Sequence, residues 1–263
     1  MRRVSAIDRA KCAAKSRLAQ LGWEVRRVRE PSIEDTLFYA MPESCQIPGL
    51  GSLYETFFGQ RTSGFFVEVG AFDGYSASNT FGLAERGWSG ILVEPVPEYA
   101  RRCRELYQDR EDILVMNIAI GSTAGELRLE VAGMLTTANA GLAEDQAATE
   151  SGRRTFRRSY IITVQMKTLD EVLYDKGVAP GLDLLVVDVE GFETEVFAGF
   201  DVNKWKPRML IVELSETHPG LPAIRQQSAQ LYSGLLAQGY VPVYKDAVNT
   251  VFVERDLWQE SFA

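Results

Sequence analysis

Cysteine is scarce. Cys12, Cys45 and Cys103 are far apart, odd in number and never spaced Cys-x-x-Cys. That pattern excludes a disulfide framework and a thiolate zinc site, and leaves partly buried thiols as the expectation. Long apolar runs are missing too. No stretch approaches the roughly 20 residues needed to span a bilayer. The charged opening MRRVSAIDRAKCAAKSRLAQ lacks the apolar core of a secretory signal, so a cytoplasmic protein without a membrane span is expected. Positive charge is in deficit, with 28 Lys and Arg against 36 Asp and Glu, a net −8. Nucleic acid is therefore not an expected partner. No internal repeat or low-complexity tract is present.

What is present is apolar material for a full core, 46% hydrophobic against 24% charged. The length of 263 residues suits one α/β domain, residues 53–263, with an N-terminal addition, residues 1–52. The addition is predicted as a helix over 5–21 ended by Gly22, then a Pro- and Gly-rich loop. Residues 1–30 carry nine Arg or Lys against Asp8, Glu24 and Glu30. This basic helix reads as a solvated face packed on the domain; contact with an acidic surface or anionic headgroups is the alternative.

From residue 65 the pattern is regular. FFVEVG (65–70), GILVEP (90–95) and ILVMNIAI (113–120) are apolar runs of buried parallel strands. Between them, 76–87 and 97–107 read as helices, the second opened by Pro97. This β-α-β-α-β order implies a doubly wound, mostly parallel sheet. ELRLEVA (126–132) alternates like an edge strand, 133–159 shows no core face, and 160–169 is extended. TLDEVLYDKG is a helix with Thr168 at the N-cap and Glu171 completing a capping box. DLLVVDVE (183–190) and RMLIVEL (208–214) are further buried strands around a GFETEVFAGF helix. A helix near 224–238 precedes YVPVYKD and TVFVERD, which form an antiparallel pair.

Ligands of such sheets bind beyond the carboxyl ends of the strands. Four of the five ends carry an acid: Glu68, Glu94, Asp188 and Glu213. Gly70 and Gly74 mark a turn in VEVGAFDGYSASNT, but Phe72 stands where a G-x-G-x-x-G turn needs its second glycine. A pyrophosphate is disfavoured there by Glu68 and Asp73, whereas a cationic, phosphate-free cofactor tolerates both. Glu94 is placed to accept hydrogen bonds from two ribose hydroxyls. A purely structural turn is the alternative.

VEVGAFDGYSASNT, GWSGILVEPVPE, MNIAIG, KTLDEVL and LLVVDVEGFETEVFAGF together resemble, in order, the blocks of the FkbM-like methyltransferases, a class I S-adenosylmethionine-dependent family. The resemblance spans about residues 50–254. It implies a seven-stranded sheet with one antiparallel strand, with S-adenosylmethionine as methyl donor. It places Glu68, Gly70, Ala71, Asp73, Gly74 and Asn79 on the methionine and ribose side. Glu94 and Pro95 then lie at the ribose, with Asn117, Ile118 and Ala119 at the adenine. Two departures stand out: Phe72 where many members are small or polar, and Val186 where many carry lysine.

A methyl donor needs its acceptor oxygen held in line, and a base or metal to activate an aliphatic hydroxyl. Asp188 is the first candidate and Glu190 the second; helix capping is the competing role. His218, the single histidine, is a further candidate base, or an ordinary loop residue. Asp188 and Glu213 together could hold Mg²⁺. Residues 133–160 are expected in an acceptor lid, where Arg153, Arg154, Arg157 and Arg158 either grip an anion or form a solvated basic loop. The expected reaction is O-methylation of a hydroxyl on a sugar, glycan or small natural product. A non-catalytic scaffold is the alternative, and a nicotinamide oxidoreductase is disfavoured by the missing glycine motif.

Overall fold

The structure, a computed structural model, describes residues 37–217 and 221–261. The predicted 5–21 helix and Cys12 lie outside them. Described residues belong to one unit, Leu37–Ala263.

The main sheet is built from β1 (Phe65–Val69), β2 (Ser89–Val93), β3 (Ile113–Met116), β7 (Leu184–Val187), β8 (Met209–Glu213), β9 (Tyr240–Lys245) and β10 (Asn249–Glu254). Their spatial order is β3-β2-β1-β7-β8-β10-β9. β10 runs antiparallel to both of its neighbours and the remaining pairings are parallel. The chain steps outward from β1 to β3 and then returns to β7 on the other side of β1. That reversal opens a crevice at the carboxyl ends of β1 and β7.

Alternate residues of each strand supply two cores. Phe66, Leu92, Val186 and Ile211 face one layer with Trp88, Tyr54 and Tyr39, while Val67, Val93, Val187 and Leu210 face the other with Trp205 and Leu235. Full burial of each such side chain contributes about 1.5–3 kcal/mol. Tyr39, Ile47 and Leu50 all belong to the first core, so the chain preceding α1 (Leu50–Phe58) is packed against the sheet.

Three sequence expectations are corrected. The run 113–120 is not one strand. Asn117 Nδ2 donates to the carbonyl oxygens of Glu94 (2.9 Å) and Pro95 (2.8 Å), and the chain leaves the main sheet there. It resumes as β4 (Ala119–Ile120) beside β6 (Tyr160–Lys167), which also pairs with β5 (Gly125–Val131) in a separate three-stranded sheet. The helix expected over 76–87 is confined to α2 (Phe81–Glu85), because Ser78, Asn79 and Thr80 turn toward Glu68. The irregular 133–159 region instead contains α4 (Ala140–Ala148), capped by Asn139 Oδ1, and α5 (Glu150–Phe156), capped by Thr149; α3 (Pro97–Leu106) precedes them.

Elsewhere the local chemistry acts as its pattern predicts. Thr168 and Glu171 form both halves of the capping box on α6 (Leu169–Asp175). β9 and β10 form the terminal antiparallel pair. Neither Cys45 nor Cys103 is in a disulfide. Among the described residues, no helix is long and apolar enough to cross a membrane.

Candidate functional site

A cleft of about 900 Å³, counted out to its open mouth, lies over the ends of β1, β2 and β7. Of the residues singled out in the sequence, Glu68, Gly70, Ala71, Asn79, Glu94, Pro95, Ile118, Ala119, Asp188 and Glu190 line it. Asp73, Gly74 and Asn117 are not among its lining residues. Asp73 instead closes the turn beside the cleft, its Oδ1 accepting from the amides of Tyr75 (3.0 Å) and Ser76 (2.7 Å). Gly74, at φ 80, faces Cys103 and Tyr107. Asn117 acts from behind by fixing the carbonyls of Glu94 and Pro95. His218 lies outside the described residues.

Gly70, at φ 94, leaves β1 so close to β7 that its absent side chain makes room for the Asp188 carbonyl. The Gly70 and Ala71 amides both donate to the Val93 carbonyl (2.9 and 3.1 Å), and the Asp188 amide donates to that of Val69 (3.0 Å). The three strand ends are thereby knitted into one floor.

Glu68 is held by its own following turn. Thr80 Oγ1 donates to Oε2 at 2.6 Å, and the Asn79 amide donates to Oε1 at 3.2 Å. Burial raises its pKa to about 7 against these bonds, which oppose the rise. Glu94 accepts from the Phe72 amide on Oε2 (2.9 Å) and from the Val96 amide on Oε1 (2.8 Å). Here too burial dominates and raises the pKa to about 8. Each Glu94 oxygen keeps a second lone pair for a hydroxyl donor.

At the other end, carboxylate oxygens of Asp188, Glu190 and Glu213 lie within 4.8 Å of one another. Burial pushes all three pKa values up, Glu190 to about 8. Glu213 is buried, and Glu190, Asp188 and Glu193 raise it further by repulsion. Glu213 Oε2 and Gln146 Oε1 are buried without a hydrogen-bond partner.

Neither Asp188 nor Glu190 takes the capping role weighed for them, since the helix that follows has no side-chain cap; Glu193 instead braces the turn before it. Its Oε1 accepts from the Val189 (3.1 Å) and Gly191 (3.2 Å) amides at the start of α7 (Glu193–Ala198). Glu190 instead sits at φ 52, an uncommon conformation for a non-glycine residue. Two residues of the 133–159 region hold it there. Thr137 Oγ1 donates to the Glu190 carbonyl (2.6 Å), and Gln146 Nε2 donates to Glu190 Oε2 (2.8 Å). Neither was visible from sequence, because the segment has no core periodicity to place it. Met134, Thr136 and Ala138 from this segment line the cleft, with Leu127 and Leu129 from β5.

No Lys or Arg lines the cleft. Arg153, Arg154, Arg157 and Arg158 are all exposed, and Arg154 pairs with Glu150 at 3.2 Å. Arg153 and Arg154 lie on α5 and Arg157 and Arg158 follow it, so of the two readings these placements favour the solvated one, on a helix end rather than a loop.

No curated protein matches the chain. Among solved structures, it is similar to a provisionally assigned O-methyltransferase from Klebsiella pneumoniae. Identity is 11%, with 92% of this chain and 96% of that one covered and a TM-score of 0.46. It is also similar to an O-methyltransferase from Bacillus cereus in complex with SAH, at 10% identity, 92% and 97% coverage and a TM-score of 0.42. Fibrillarin from Aeropyrum pernix with natively bound S-adenosyl-L-methionine matches at 10% identity, 72% and 66% coverage and a TM-score of 0.38. The family model described as "Methyltransferase FkbM domain" matches residues 68–241. That span runs from the acid at the end of β1 to β9, and by it the chain belongs to the FkbM methyltransferase family.

Proposed function

We propose that this protein transfers the methyl group of S-adenosylmethionine to a hydroxyl of a small molecule or glycan, using Asp188 and Glu190 at the reacting end of its cleft. The observation that carries this reading is the division of acids within one cleft. Glu68 and Glu94 stand at the ends of β1 and β2, and Asp188 and Glu190 line the cleft after β7, grouped with Glu213, which is not itself a lining residue. A sulfonium donor with an ammonium group suits a cleft lined by acids and free of Lys and Arg. Glu94 accepts the two ribose hydroxyls on its remaining lone pairs, while Gly70 and Ala71 supply the narrow floor beside them.

The acceptor hydroxyl needs a group that takes its proton as the carbon–oxygen bond forms. Asp188 is that base, because it lines the cleft at the end of β7, with Glu190 and Glu213 carboxylates beside it. Glu190, fixed by Thr137 and Gln146, orients the acceptor. Leu127, Leu129 and Met134 offer it an apolar wall. Every charged residue lining the cleft is acidic, which favours an acceptor without phosphate or carboxylate near the reacting hydroxyl.

A divalent cation of the Mg²⁺ class fits the same three carboxylates. The donor set is all oxygen, and Glu213 Oε2 is buried without a partner. When bound, such an ion acidifies a coordinated hydroxyl. A cytoplasmic location completes the proposal.

Two measurements test it. Calorimetry should detect binding of S-adenosylhomocysteine. Methyl-labelled donor incubated with small-molecule and glycan fractions should then give a product whose label survives mild base, as an ether does and an ester does not. No affinity for the homocysteine product returns the chain to the scaffold reading; a basic, N-methylated product overturns the hydroxyl.

A further inference from the structure

Phe72 adopts φ 48, a left-handed conformation unusual for an aromatic residue, and both of its main-chain polar groups are held. Its amide donates to Glu94 Oε2, and its carbonyl oxygen accepts from the buried Cys103 thiol at 3.0 Å. The ring so placed meets that of Tyr99, on α3, with centroids 4.4 Å apart and planes 55° apart. Both side chains line the cleft. Arg102, paired with Glu98, packs on the same Tyr99 ring with its guanidinium carbon 5.7 Å from the centroid.

The same cleft has apolar lining residues as well. Pro95 and Ile118 follow β2 and β3, and Ala119 opens β4. Asn117, the polar side chain expected at the base, is turned onto the Glu94 and Pro95 carbonyls. A ribose whose hydroxyls bind Glu94 carries its base one bond from the carbon bearing the first of them. That geometry brings the base beside the residue whose amide shares the same carboxylate.

We propose that the Phe72–Tyr99 ring pair is the stacking wall for the purine of the methyl donor, and that this protein holds the base by ring contact rather than by an acidic or amide side chain. The inference rests on the donor reading above. Stacking of a base on an aromatic side chain is strong enough that its loss weakens binding by roughly 5- to 150-fold.

Calorimetry with S-adenosylhomocysteine and with 5′-methylthioadenosine, which keeps the nucleoside and lacks the amino-acid end, reads the effect. Tyr99→Ala should weaken both ligands by about tenfold, and by the same factor. Tyr99→Phe, which keeps the ring, should stay close to wild type. Phe72→Gly, which suits the backbone conformation, should weaken both ligands as Tyr99→Ala does. Tyr99 is only partly buried on its helix, so its variants decide the matter if Phe72→Gly fails to fold. Unchanged affinity in Tyr99→Ala overturns the wall and leaves the donor reading standing. So does a loss for S-adenosylhomocysteine alone, or a Tyr99→Phe loss as large as that of alanine. A wild-type protein that binds neither ligand overturns the donor reading itself.

Discussion

The carbonyl oxygen of Asp188 lies 1.7 Å from where a β-carbon on Gly70 would stand. The two residues end adjacent parallel strands at the point where strand order reverses, so the contact is also the floor of the cleft. Any side chain at Gly70 must push β1 from β7, and its φ of 94 adds backbone strain. Gly70→Ala should therefore lose at least about 3 kcal/mol of stability by urea denaturation. Gly177→Ala is the comparison. It shares a positive φ, 65, but has nothing within 4 Å of the new carbon, and should lose only about 1 kcal/mol. Equal losses would mean that the close approach is not real.

Four buried carboxyls, three lining the cleft and Glu193 beside it, have raised pKa values. Burial raises Glu68 and Glu193 to about 7 and Glu94 and Glu190 to about 8, from an ordinary 4.5. The folded chain thus binds more protons than the unfolded chain between pH 4.5 and about 8. Their contribution to stability is complete below that window and is lost as pH rises through it. The urea midpoint should fall from about pH 5 to about pH 8.5. Glu190→Gln, which cannot ionise, should flatten the slope and gain roughly 1–3 kcal/mol at the upper end. Parallel wild-type and variant curves would remove burial of Glu190 as the cause.

A cation among Asp188, Glu190 and Glu213 predicts a specific ligand effect. Millimolar Mg²⁺ or Ca²⁺ should raise the melting temperature of the wild-type protein, and the rise should vanish in Glu213→Gln. The same rise in the variant would assign the effect to the surface.

The exposed arginines give a contrasting expectation. Replacing Arg153, Arg154, Arg157 and Arg158 together by alanine should change stability by only about 0.5 kcal/mol, because solvent screens them and their pairing is on the surface. Affinity for S-adenosylhomocysteine should not move. A tenfold loss in that affinity would mean that the basic cluster reaches the donor end.

The sequence alone determined the order of strands and the acids at their ends. Buried parallel strands are near-continuous apolar runs, so a Glu or Asp that closes such a run stands out, as Glu68, Glu94 and Asp188 do. Capping chemistry is equally local, and Thr168 with Glu171 needed no tertiary information. What only the tertiary structure decided is where side chains distant in sequence meet. Asn117 was expected at the base and instead holds two carbonyls more than twenty positions away. Thr137 and Gln146 reach Glu190 across about 50 residues, from a segment without periodicity to place it. Periodicity reports which face of an element is buried. It carries no information about the partner on that face, which is set by how the strands and the cap pack together.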